Sequence, residues 1–111
     1  MKTILVVDDE ADIALTLQAF VELHGFRVVV AYDGVEALQK ALSDPPDLIV
    51  TDVTMPRMNG LELVEKLRES AAGQDIPVIL ISARDYRSAL PYFRKPFDPN
   101  ALIEEIRRLL P

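Results

Sequence analysis

The run Leu48-Ile49-Val50-Thr51-Asp52-Val53-Thr54-Met55-Pro56-Arg57-Met58-Asn59-Gly60 decides how the chain is read. Residues of strand character lead to one carboxylate, Asp52, and then to a loop punctuated by Pro56 and Gly60. A short apolar run of this kind suits a strand buried on both faces, as in a parallel sheet. In open α/β sheets, ligands and chemistry collect at the carboxyl ends of strands, where Asp52 stands. Asp52 is therefore a candidate reactive group. The plain alternative is an Asp that ends a strand or starts a turn.

The same grammar repeats on either side. Residues 4–7 are apolar and mostly β-branched, and predict a first buried strand with Asp8 and Asp9 at its carboxyl end. From residue 10 the period changes. Ile13, Leu17, Phe20, Val21 and Leu23 fall near one helical face, predicting a helix over about 10–24 that Gly25 stops. Val28, Val29 and Val30 make a second strand, and Asp33 is a plausible cap for a second helix. That helix repeats Val35, Leu38, Ala41 and Leu42 and ends at Pro45-Pro46.

After Gly60 a third helix carries Leu61, Val64 and Leu67 inward and Glu62, Glu65, Lys66 and Arg68 outward, running out by Gly73. Residues 77–81 predict a fourth strand ending on Ser82-Ala83. Residues 92–94 predict a short fifth strand followed by Lys95-Pro96-Phe97. A last helix starts near Asp98 or Pro99 and buries Leu102, Ile103, Ile106 and Leu110. Strands alternating with helices predict an α/β fold with a parallel sheet and helices on both faces.

One link is short. Nine residues, 83–91, separate Ser82 from Tyr92. A parallel crossover that contains a full helix needs about ten to twelve residues or more. Nine extended residues reach roughly 30 Å, enough to return along a short strand but not to form a normal helix as well. The fourth crossover is therefore expected to be a loop, or at most one helical turn near 86–90. The alternative is a fifth strand that does not pair in parallel.

The 111 residues suit one domain, 1–111, with one core. A net charge of −6 argues against direct nucleic-acid binding and favours cationic partners or a divalent metal. The absence of cysteine excludes disulfides and thiolate metal sites. The first apolar run is cut at once by Asp8-Asp9-Glu10, and no segment has the apolar length of a membrane span. The expectation is a cytoplasmic protein without a membrane partner.

Set side by side, the strand ends deliver Asp8, Asp9, Asp52, Ser82 and Lys95 to one edge of the sheet. Three carboxylates in one place repel one another unless a cation sits among them, and their hard oxygens suit Mg²⁺. With a lysine and a hydroxyl beside them they describe a phosphoryl site. There a cation and the lysine neutralise phosphoryl oxygens, and a carboxylate can act as nucleophile. Taken singly, each has another reading: Asp8-Asp9 as a helix N-terminus, Ser82 as a cap and Lys95 as a surface charge.

These runs, Val6-Val7-Asp8-Asp9-Glu10, 52–60, Ser82-Ala83 and Lys95-Pro96-Phe97, occur in an order that resembles the receiver domain of two-component response regulators of the chemotaxis-regulator type. The resemblance covers essentially the whole chain. It implies a three-layer, doubly wound, five-stranded parallel sheet of flavodoxin-like order 2-1-3-4-5, here with the fourth helix short or absent. It implies that Asp52 is the phospho-acceptor for a phosphoryl group from the phosphohistidine of a sensor histidine kinase or histidine phosphotransfer protein. Mg²⁺ would be held by Asp8, Asp9, Asp52 and the Thr54 backbone carbonyl, with Asp8 acting mainly through water. Lys95 would hold a phosphoryl oxygen, Ser82 would be the switch hydroxyl and Tyr92 the switch aromatic. The family's cis Lys-Pro bond is permitted at Lys95-Pro96.

The function so implied is a signalling switch whose own chemistry is self-phosphotransfer and autodephosphorylation, not an enzyme acting on other substrates. Its output protein is unknown, and it is expected as a monomer or weak homodimer. It is either a stand-alone receiver or the N-terminal piece of a longer protein. Two alternatives stand beside it: a non-catalytic interaction module of the same fold, and a Mg²⁺-dependent aspartyl-phosphate phosphatase. The phosphatase reading is weakened by Thr54, where such enzymes commonly place a second acid. Arg84 borders the site and is a candidate partner for phosphate or for an acid. His24 reads as a helix-end residue, Met55 and Met58 as loop packing, and Arg107-Arg108 as a solvated helix face.

Overall fold

The computed structural model of the chain describes residues 1–85 and 88–111. Five strands, β1 (Thr3–Val7), β2 (Arg27–Ala31), β3 (Leu48–Asp52), β4 (Val78–Ser82) and β5 (Tyr92–Arg94), form one sheet. Their order is β2-β1-β3-β4-β5, and every pairing is parallel. The helices are α1 (Ala11–Leu23), α2 (Gly34–Ser43), α3 (Gly60–Arg68) and α4 (Pro99–Leu109).

Alternation along the strands divides the core into two layers. Ile4 and Val6 of β1 pack with Leu17 and Val21 of α1 and with Leu102 and Ile106 of α4. Leu5 and Val7 face the other way, toward Ala37 and Ala41 of α2 and Leu63 and Leu67 of α3. The central strands β3 and β4 are buried at every position, which is why they read as apolar runs up to the polar residues at their carboxyl ends. Among the described residues, no helix is long and apolar enough to cross a membrane.

The order 2-1-3-4-5 and the short fourth crossover are as expected. The expected helix faces largely hold, with Ile13, Leu17, Phe20, Val21, Leu38, Ala41, Val64 and Leu67 all in or against the core layers; the exceptions lie at the edges of those faces. Leu23, Leu42 and Leu61, expected inward, are exposed, Leu23 to 82%. The buried residues are Ala14, Leu17 and Val21 on α1, Gly34, Ala37 and Ala41 on α2, and Gly60, Leu63 and Leu67 on α3. Each set runs i, i+3, i+7. Alanine and glycine hold several of these buried positions, so a stripe drawn through the large apolar side chains alone misses part of the buried face. Leu110 lies just past α4 and is only half-buried at the margin of its layer.

Between β4 and β5, the described residues 83–85 and 88–91 form no helix, yet β5 still pairs in parallel, with Leu80 opposite Tyr92 and Ser82 opposite Arg94. The expected turn near 86–90 falls partly on Tyr86 and Arg87, which lie outside the described residues. The link is braced at its ends: Arg94 pairs with Asp85 at 3.3 Å, and the Tyr92 hydroxyl donates to the Arg84 carbonyl.

Candidate functional site

Parallel strands end level, so the residues that close β1, β3, β4 and β5 meet at one edge. Asp8 continues β1, its amide donating to the Ala31 carbonyl at 3.2 Å. Asp52 closes β3 and Ser82 closes β4. Lys95 follows β5, its amide donating to the Ser82 carbonyl at 2.8 Å. The Lys95-Pro96 bond is cis, as the sequence permits.

These placements bring the charges together. Lys95 Nζ lies 3.2 Å from Asp8 Oδ2 and 3.4 Å from Asp52 Oδ2. Asp8, Asp9 and Asp52 each offer a carboxylate oxygen, all within 4.8 Å of one another. Asp8 and Asp52 are buried, while Asp9 is exposed at the mouth. The Glu10 amide donates to Asp8 Oδ1 at 2.9 Å, so the α1 N-terminus fixes that carboxylate.

Burial pushes the Asp52 carboxyl above its usual range, and the neighbouring Asp8 charge adds to this. Lys95 and the Thr54 amide oppose it without cancelling it. For Lys95, burial pulls the other way, but Asp8 and Asp52 outweigh it and hold the ammonium charged beyond its usual range. One lysine facing three carboxylates leaves net negative charge in a partly dry place. Three hard oxygen donors at this spacing fit a small divalent cation such as Mg²⁺.

Of the expected site residues, Asp8, Asp9, Asp52 and Lys95 converge directly. Ser82 lies beside them at the end of β4, 1% exposed, its Oγ accepting the Arg84 amide at 3.0 Å. Thr54 is exposed in the loop after β3. Tyr92 is half-buried on β5, opposite Leu80 and two positions below Ser82. Arg84 enters through its backbone, with the amide on Ser82 and the carbonyl on Tyr92.

The loop after Asp52 is built around Gly60. A Cβ there would lie 2.4 Å from the Asp52 carbonyl oxygen, so only glycine lets α3 start so close to the acceptor strand. The Gly60 amide donates to Val53 at 2.8 Å, and Asn59 with Glu62 forms a reciprocal capping box. Met55 is buried and Met58 packs against its core layer. Three contributors went unread in the sequence: this capping box, signalled by Asn59-x-x-Glu62; the Arg84 backbone; and an ion pair between Asp33 and Arg57.

A flavodoxin-like sheet with an acidic cluster and a lysine at its carboxyl edge defines the class. The response regulator receiver domain model matches residues 4–107, and the chain belongs to that family. It is 40% identical to response regulator MprA of Mycobacterium ulcerans over 116 aligned positions, which take in 96% of this chain and 49% of that protein. The chain thus spans about half the length of the curated relatives it matches. The alignment has more positions than the chain's 111 residues, so the relative carries residues this chain lacks.

Among solved structures, the chemotaxis protein CheY4 of Vibrio cholerae is 30% identical, with a TM-score of 0.91 and 98% of both chains covered. Response regulator TrrA of Thermotoga maritima, solved in complex with Mg²⁺ and BeF, is 36% identical with a TM-score of 0.89, covering 98% of this chain and 99% of that one.

Proposed function

We propose that the chain, as one receiver domain over 1–111, is a phosphorylation-dependent signalling switch with Asp52 as phospho-acceptor. The observation that carries this reading is the placement of Lys95 Nζ between the Asp8 and Asp52 carboxylates, with Asp9 completing the acidic cluster. An Asp52 oxygen forms a bond to phosphorus as the bond from phosphorus to the donor's imidazole nitrogen breaks, and the electron pair leaves with the imidazole. Lys95 neutralises a phosphoryl oxygen as charge develops there. Asp8, Asp9, Asp52 and the Thr54 carbonyl would hold Mg²⁺, which when bound supplies charge neutralisation for the incoming group. The Mg²⁺ complex of TrrA supports this assignment by relationship.

Ser82 then gives up its bond from the Arg84 amide and turns its hydroxyl to the phosphoryl group. Tyr92 reports the change at the β5 surface. The donor is a histidine kinase or histidine phosphotransfer protein in the cytoplasm, and the chain has no other enzymatic activity. Intact-mass measurement after incubation with Mg²⁺ and a small acyl phosphate tests the reading. One phosphoryl adduct is expected, dependent on Mg²⁺ and absent in Asp52→Asn. A folded protein that binds Mg²⁺ but takes no adduct from either acyl phosphate or a phosphorylated histidine donor would favour the interaction-module alternative.

A further inference from the structure

The loop that carries Thr54 contains a strained turn. Arg57 has φ 66°, and the Met58 amide donates to the Pro56 carbonyl at 2.8 Å, closing a γ-turn of the positive-φ kind. A bulky residue in that region is disfavoured and persists only where its surroundings hold it. What holds it here is the start of α2. Asp33 caps that helix through Oδ1, which accepts the Glu36 amide at 2.8 Å, and its Oδ2 pairs with the Arg57 guanidinium. The backbones meet beside it: a Cβ on Gly34 would fall 2.4 Å from the Met58 carbonyl oxygen. The Asp33 carboxyl is held below its usual range by the Glu36 amide and by Arg57.

We propose that Asp33 and Arg57 are positioning residues of the phosphoryl site: together they pin the strained turn to the α2 N-terminus and so hold the Asp52–Thr54 segment in place for a cation. This rests on the phosphoryl-site reading above. The pair is poorly suited to a purely stabilising role. The Arg57 side chain is 65% exposed, and exposed ion pairs contribute little to folding. Its effect belongs on the loop it restrains, where small displacements of an oxygen ligand are felt by Mg²⁺, which demands near-ideal geometry.

The test is Mg²⁺ titration and thermal unfolding of the full chain as wild type, Arg57→Gln, Arg57→Lys, Asp33→Asn and the double variant Asp33→Asn/Arg57→Gln. Asn keeps the helix cap while losing the charge. Arg57→Gln and Asp33→Asn are each expected to weaken Mg²⁺ binding about two- to five-fold, with midpoints of unfolding nearly unchanged. The double variant is expected to bind no more weakly than the weaker single one, because the two act as a unit. Arg57→Lys is expected to restore most of the loss. Simple through-space charge gives a different pattern: removing the Arg57 cation strengthens Mg²⁺ binding, removing the Asp33 anion weakens it, and the two changes add. That pattern, or unchanged affinity in every variant beside a wild type that binds Mg²⁺, would overturn the inference alone. A wild type that binds no Mg²⁺ would defeat the phosphoryl-site reading and this inference together.

Discussion

The third and fourth crossovers solve the same geometric problem in opposite ways. From β3 to β4 the chain spends residues 53–77 and builds α3, whose first residue touches the Asp52 carbonyl and whose Leu63 and Leu67 are fully buried. From β4 to β5 it spends residues 83–91, and the described part makes no helix. The first route fixes the acceptor by packing, with close backbone contact and no room for a methyl group at Gly60. Among its described residues the second is tied through Ser82 to Arg84, Arg84 to Tyr92, and Asp85 to Arg94, with Leu90 its one hydrophobic packed against a core layer. A site whose chemistry needs fixed oxygens sits against the packed crossover. The proposed switch residue Tyr92 sits at the end of the more lightly tied one.

The sharpest break of this contrast is in the packed route. Leu67→Ala is expected to destabilise the domain by about 2–5 kcal/mol, because a fully buried leucine leaves a cavity. Denaturant unfolding checks it. A loss below that range would mean that α3 repacks freely and does not hold the site.

Next in size is Asp52→Asn without divalent ions, expected to stabilise the protein at neutral pH by on the order of 1 kcal/mol. Asp52 has its carboxyl raised by burial and by Asp8. Well below the usual carboxylate range both folded and unfolded states are protonated, and ionisation costs nothing. As pH rises through the folded value, the folded state must ionise a group the unfolded state ionises more easily, and stability falls. The advantage of Asn should therefore grow from acid to neutral pH in thermal unfolding. A gain that shrinks over that range would contradict the burial of an unfavourable charge.

Tyr92→Phe probes the loosely tied route. Losing the hydroxyl bond to the Arg84 carbonyl is expected to cost only about 0.5 kcal/mol in global stability, while amide exchange in the link rises locally. Smallest of all, Ser88→Ala removes a bond from the Leu90 amide at an exposed position and should stay within about 0.5 kcal/mol. If either rivals Leu67→Ala, the link is a packed element and the contrast fails.

Much of this was legible from residue order. Strand ends are marked where apolar runs meet Asp8, Asp52 and Ser82, and a parallel sheet aligns those ends, so the acidic cluster followed from topology. The brevity of 83–91 followed from chain length alone. Helix faces followed only in part, because Gly34, Ala37 and Gly60 are buried yet carry little hydrophobic signal. Large side chains such as Leu42 and Leu61 therefore read as inward in the sequence and are exposed in the structure. The Asp33–Arg57 pair was unreadable for another reason. It joins residues 24 apart that periodicity does not relate, and it depends on a backbone turn that no composition reveals.

If Asp52 accepts the phosphoryl group, the modification can be trapped at that residue. Borohydride converts an acyl phosphate to an alcohol, so protein incubated with Mg²⁺ and acetyl phosphate, then reduced and mapped by peptide mass, records the site covalently. The expected result is homoserine at position 52, absent when Mg²⁺ is chelated. Reduction at Asp8 or Asp9, or none despite a mass adduct on the intact protein, would contradict it.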